Sequence, residues 1–164
     1  ESIPPATPLP PDLGTPLISF HPRIEPNMST STKNQIGRWG EGLMYHFFSR
    51  HYPNAIIDWP NQHLPDDQDQ KAPYDITLTY LQESVQVTYY CEIKTTRNET
   101  PTEAKLSNRQ INGMFDKKEN YWLVRVYRAG NPNAFFRIIE NPALKIFGQD
   151  QSRPKGITQL KLTL

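Results

Sequence analysis

A chain of 164 residues and 19.0 kDa has the length of one ordinary domain, and two independent cores would each lie near the small end of domain sizes. Its 18 Lys and Arg against 17 Asp and Glu leave a formal net charge of +1, which excludes both a histone-like polycation and an acidic disordered tail. The single cysteine, Cys91, closes no intramolecular disulfide, and no Cys pair or Cys/His cluster is available for structural zinc, so a reduced, intracellular protein of nucleus or cytoplasm is expected.

No apolar run approaches the roughly 18 residues needed to span a bilayer, and no charged-then-apolar leader opens the chain, so a soluble protein is expected. The charge is unevenly placed. Residues 1–82 carry 5 basic and 9 acidic side chains whereas residues 83–164 carry 13 and 8, so an anionic partner is expected to meet the second half.

Residues 1–32 read as a linker or a strap over a neighbour. Half of the 16 prolines lie at or before Pro26, and proline removes backbone donors and favours extended chain. The PxxP spacings Pro5 to Pro8 and Pro8 to Pro11 are those that a proline-rich linker produces by default. The first residue is Glu1 rather than Met, which suggests a piece of something longer. One domain is expected over residues 33–148, followed by an extension, 149–164, with an edge strand over Ile157 to Leu164.

Within Lys33 to Arg50 the residues Ile36, Trp39, Leu43, Met44 and Phe47 recur with helical spacing and mark a buried face. Glu41 lies at the rim of that face, where position alone favours a solvated helix charge over a carboxylate leaning over whatever the helix covers. Gly37, Gly40 and Gly42 follow no strand and so match no dinucleotide fingerprint; close packing on a sheet explains them better. Ala55 to Trp59 reads as a strand, and Pro60 to Pro73 as a long loop of the kind that is often functional.

Tyr74 to Leu81 and Val85 to Thr95 alternate with period two around Gln82-Glu83-Ser84, which predicts a hairpin. Alternation puts Cys91 and Ile93 on one face of the second strand and Glu92 and Lys94 on the other, with Asp75 on the matching face of the first. Leu106 to Glu119 is predicted to be a helix carrying Lys105 and Arg109, four apart, as a basic stripe. Tyr121 to Tyr127 reads as a central strand covered on both sides, and Ala134 to Ile139 as a further strand. The expected class is α/β, a mixed sheet flanked by helices.

An acidic residue two before a lysine occurs at Asp69/Lys71, Glu92/Lys94, Glu103/Lys105 and Asp116/Lys118. Only Glu92/Lys94 lies late in a predicted strand with another carboxylate, Asp75, on the same face of its neighbour. Phosphodiester cleavage needs a hard divalent cation held by carboxylate oxygens and an ammonium near the attacking water or the phosphate, and these residues supply both. A half-exposed strand with an ordinary Glu/Lys pair is the plain alternative. Cys/His or Ser/His catalysis is disfavoured, because Cys91 faces the predicted core. No helix pair suits sequence-specific reading of DNA, so contact is expected through phosphates, with Arg97, Lys105, Arg109, Lys117 and Lys118 as the supply.

The ordered blocks Ile36-Gly37-Arg38-Trp39-Gly40-Glu41, Pro73-Tyr74-Asp75-Ile76, Cys91-Glu92-Ile93-Lys94-Thr95-Thr96, Leu106-Ser107 and Tyr121 to Tyr127 resemble the nuclease-like C-terminal domain of the plant protein NO VEIN and its relatives. The layout Asp75, Glu92-x-Lys94 with an upstream Glu41 is similar to the PD-(D/E)XK nuclease superfamily. The resemblance covers roughly residues 33–142. It implies a restriction-endonuclease-like core, with Asp75 and Glu92 as ligands of Mg²⁺ or Mn²⁺, Lys94 as catalytic lysine and Glu41 as auxiliary acid. Similar domains sit at the end of long chains with ATPase or helicase modules. The implied activity is metal-dependent cleavage of nucleic acid, DNA before RNA, with a homodimer possible; the other reading is a silent nuclease fold used for nucleic-acid or protein docking. Where the resemblance leads one to expect a glutamate after the Leu-Ser pair, this chain has Gln110, which puts an acidic contribution from that helix in doubt. Trp39, Tyr121 and Trp122 are expected to be packing residues.

Overall fold

The computed structural model describes residues 33–65, 71–82, 84–100, 102–148, 153 and 156–164. The proline-rich segment 1–32, with its PxxP spacings, lies outside them.

Helix α1 (Lys33–His51) buries Trp39, Leu43, Met44, Phe47 and Phe48, the three-four spacing of a helix with one apolar face. Strand β1 (Ala55–Asp58) follows, then β2 (Ile76–Gln82) and β3 (Val85–Thr95), paired antiparallel as a hairpin. Strand β4 (Glu103–Ser107) and helix α2 (Asn108–Lys117) carry the chain across one face to β5 (Tyr121–Tyr127), which pairs parallel with β3. Parallel neighbours require such a crossover. Then come β6 (Phe135–Glu140), helix α3 (Pro142–Phe147) and β7 (Gln159–Thr163).

The main sheet runs β1-β2-β3-β5-β6, mixed because of the β3–β5 pair. One core lies beneath α1, on Ile76, Leu78, Cys91, Ile93, Trp122 and Val124. The other lies beneath α2 and α3, on Leu106, Ile111, Met114, Tyr121 and Leu123. β5 is buried along its whole length, as its two-sided apolar pattern predicts. The fold is therefore α/β, a mixed five-stranded sheet flanked by helices, consistent with a restriction-endonuclease-like core. Trp39, Tyr121 and Trp122 are buried packing residues.

Four elements differ from expectation. The helix predicted from Leu106 starts at Asn108, because Ser107 caps it. The Ser107 hydroxyl accepts from the Gln110 N–H at 3.4 Å, and the Gln110 side chain accepts from the Ser107 N–H at 2.9 Å, a reciprocal capping box. Residues 103–107 form a strand instead, burying Ala104 and Leu106 and exposing Glu103 and Lys105, so Lys105 and Arg109 share no helical stripe. The Ile157 to Leu164 segment does form a strand, but β7 pairs with β4 in a separate two-stranded sheet rather than at an edge of the main one. Its Leu160 and Leu162, with Leu164 beyond it, pack against the core under α2, and that apolar contact is what this pairing gains. Helix α3, six residues long, is too short to show a period in sequence; Asn141 caps it and Pro142 occupies its first position.

The α1 glycines divide by what faces them. A Cβ on Gly40 would fall within 2.9 Å of the Cβ and Cγ2 of Thr95, and one on Gly42 within 3.2 Å of the Trp59 ring, so close approach is what these positions need. Gly37 faces open space. Gly40→Ala is therefore expected to cost about 1 to 3 kcal/mol through overpacking. Gly37→Ala is expected to gain about 0.5 to 1 kcal/mol by reducing the freedom of the unfolded chain. Urea unfolding midpoints check the pair; equal midpoints would mean that α1 does not press on Thr95.

Candidate active site

Asp75 is the last residue before β2. Extending the β2–β3 register one step beyond Ile76↔Cys91 sets it opposite Glu92. It is held twice against β3: its own N–H donates to the Cys91 carbonyl at 2.8 Å, and its Oδ2 accepts from the Ile93 N–H at 2.7 Å. Glu92 follows on the face away from α1. Its Oε1 accepts from Lys94 Nζ at 2.8 Å and from the Gln110 amide. Lys94 Nζ also donates to Gln110 Oε1 at 3.2 Å. Gln110 thus joins the helix cap to the acidic pair, and the residue where a glutamate was expected supports the site as a neutral amide.

Glu41 reaches the same place from α1. Its Oε2 accepts from Arg38 at 2.9 Å, from the Trp59 indole at 2.8 Å and from the Asn61 amide at 3.3 Å. Glu41, Asp75, Glu92, Lys94 and Gln110 line one cleft of about 210 Å³, with Lys33, Asn34, Gly37, Arg38, Asn61 and Ile93 completing the wall. The four residues singled out in the sequence for chemistry are therefore brought together. The described part of the long loop contributes Asn61, itself only 2% exposed, and does not plug the cleft.

The cleft is deeper than the strand pattern implies. Glu92 is 2% exposed, because α2 and Gln110 close over it. Burial also dominates the electrostatics. The Asp75 carboxyl is pushed well above the usual aspartate range first by burial and then by the charges of Glu92 and Glu41, with the Ile93 N–H and Lys94 acting in the opposite direction. The Glu41 carboxyl is raised by burial against the pull of Trp59, Arg38 and Asn61. Burial pushes the Cys91 thiol up as well, which suits an inert core cysteine.

The five basic residues expected to meet nucleic acid lie outside this cleft. Arg97 lines a separate, open depression of about 680 Å³ with Arg128 and Glu99. Lys105 stands opposite Lys161 on the small sheet, and Arg109 is exposed in the first turn of α2. Lys117 lies over the Tyr90 ring at 4.6 Å, and Lys118 is exposed just past the helix end. The cations that line the cleft are Lys33, Arg38 and Lys94. Of these, Arg38 was legible in principle from its place three residues before Glu41.

The family model described as Protein NO VEIN, C-terminal, matches residues 40–138. The chain belongs to the NO VEIN C-terminal family. The stretch that defines family membership contains Glu41, Asn61, Asp75, Glu92, Lys94 and Gln110, so the three carboxylates of the cleft lie inside the NO VEIN C-terminal match, whereas Arg38, α3 and β7 lie outside it. No curated protein and no solved structure matches the chain. Among the described residues no helix is long and apolar enough to cross a membrane.

Proposed function

We propose that this NO VEIN C-terminal domain is a metal-dependent phosphodiesterase that cleaves nucleic acid, DNA in preference to RNA. The observation that carries the reading is the convergence of Asp75, Glu92 and Lys94, with Glu41 behind them, in one cleft at the end of a hairpin. The polar side chains that line the cleft are carboxylates, amides, ammonium and guanidinium groups, with no Cys or His, so the donors available to a cation are oxygens, which suits a hard one. Among the described residues no cluster of three or more His, Cys, Asp or Glu side chains is arranged to hold a metal. An all-protein cage for calcium or zinc therefore does not fit. Mg²⁺ or Mn²⁺ does, since Mg²⁺ is commonly held by one or two carboxylates and completes its shell with water and substrate phosphate.

Asp75 and Glu92 are the residues that would hold it. When bound, the cation supplies Lewis acidity at the phosphate and a more acidic water. The protein supplies the rest. An ammonium has three donors, and Lys94 uses two on Glu92 and Gln110, which leaves one for a phosphate oxygen or the attacking water. Gln110 keeps Lys94 and Glu92 in register. Glu41, fixed by three donors, sets the negative potential at the back of the cleft and acts as the auxiliary acid. The Asp75–Ile93 hydrogen bond holds that carboxyl group in place before any ligand arrives, and so limits reorganisation.

The reading is tested by incubating the protein with labelled single-stranded, duplex and branched DNA and RNA in Mg²⁺, Mn²⁺ or chelator. Metal-dependent cleavage of at least one substrate is expected. Binding without cleavage under any metal would favour the silent docking module.

A further inference from the structure

A row of cations leads away from the cleft. The parallel β3–β5 register sets Lys94 beside Arg125, and the antiparallel β5–β6 register sets Arg125 beside Arg137. Adjacent strands lie about 4.8 Å apart, so the three positions span roughly 10 Å on the sheet face that carries Glu92. Like charges on directly opposing residues destabilise a sheet, and among the described residues the only ion pair made by this row is Lys94–Glu92.

Arg125 carries the argument. It is 4% exposed, and its Nη2 donates to the Thr102 hydroxyl at 2.5 Å. Its Nε is buried with no hydrogen-bond partner, and among the described residues no carboxylate forms an ion pair with it. Both guanidinium groups lie by the Tyr127 ring, that of Arg125 5.8 Å and that of Arg137 5.9 Å from its centroid, and Arg125 is also hydrogen-bonded to the Tyr127 side chain. A buried guanidinium without an anion is costly, and an apolar side chain of similar size would serve the core better. Its planar fork of donors is suited to phosphate oxygens.

We propose that Lys94, Arg125 and Arg137 form a phosphate track on which the nucleic-acid strand is held beyond the bond in the cleft. The inference rests on nucleic acid being the ligand of the cleft. It does not require that the cleft cleave it.

The test is fluorescence anisotropy of a labelled single-stranded DNA oligonucleotide with the whole chain, in chelator so that no cleavage occurs, across a salt series. Arg125→Met is expected to weaken binding about tenfold, the scale of one charge-assisted contact. The slope of log affinity against log salt should fall by about 0.7 for each phosphate that the variant no longer neutralises. Its melting temperature should be unchanged or higher, because a buried cation has been removed. Arg137→Ala, at an exposed position, is expected to weaken binding in the same direction and keeps the test decisive should Arg125→Met fold poorly. Wild-type affinity and slope in both variants, or no binding by the wild type, would overturn the track. A wild type that binds, loses affinity with these changes and cleaves nothing in any metal would sink the nuclease reading and leave the track standing. Metal-dependent cleavage with unaltered binding in both variants would do the reverse.

Discussion

Asp75→Asn is expected to lower metal-dependent cleavage by about a hundredfold to a thousandfold and at the same time to make the folded protein more stable at neutral pH. The two effects share one cause. Burial and the charges of Glu92 and Glu41 hold the Asp75 carboxyl well above its ordinary value of 3.8, so the fold favours its protonated form. A group whose folded value is raised contributes its full stability below the unfolded value, here about pH 4. That stability is lost as pH rises through the folded value, because the unfolded chain ionises freely and the folded one does not. Asparagine carries no proton to lose and retains an oxygen to accept from the Ile93 N–H. The stability difference between variant and wild type should therefore grow from about pH 4 upward and level off above the raised value. Denaturant unfolding at several pH values checks it. A difference that is flat with pH would mean that Asp75 is ionised without cost. Adding Mg²⁺ should stabilise the wild type and leave the variant unmoved, since a ligand that binds only the folded state shifts the equilibrium toward it.

Lys94→Ala is expected to be nearly as damaging to cleavage, by about a hundredfold or more, but with the opposite effect on the fold. The ammonium pairs at 2.8 Å with Glu92, whose side chain is 3% exposed, so its removal leaves a buried carboxylate without its cation. Breaking such a pair costs about 3 kcal/mol, the low end of the range for buried pairs, because the Lys94 side chain is still 20% exposed. The strand pattern alone suggests a change that leaves folding intact; the observed pair corrects that. Glu92→Gln combined with Lys94→Ala removes both charges and should recover most of the lost stability and none of the activity. A double-mutant cycle on unfolding free energies measures the coupling, and additive losses would show that the pair contributes nothing to the fold.

The acidic convergence was legible because it depends on two local rules. Period-two alternation puts Glu92 and Lys94 together, and the hairpin that the alternation on either side of Gln82-Glu83-Ser84 predicts has a register that brings Asp75 opposite Glu92. α1 and β5 were legible for the same reason, since their apolar periods extend over several turns or residues. What the sequence concealed is non-local. The pattern of β3 does not tell how far α2 closes over Glu92, nor that burial governs the Asp75 carboxyl. Trp59 and Asn61 meet Glu41 across 18 and 20 residues of chain, with no spacing rule to announce them. The boundary at Ser107 was available as the capping box Ser107-x-x-Gln110, but apolar spacing running on through Leu106 outweighed it. The pairing of β7 with β4 depends on which apolar surface remains uncovered once the main sheet has formed.

The most direct measurement is the initial rate of cleavage of one labelled substrate as a function of Mg²⁺ concentration, with wild type and Asp75→Asn purified side by side. A wild-type rate that rises with Mg²⁺, falls to background in chelator and is lost in a variant that is folded and still binds nucleic acid is the predicted result. Equal rates in the two proteins, or a wild-type rate indifferent to the metal, would contradict the assignment of this cleft as a metal-dependent nuclease centre.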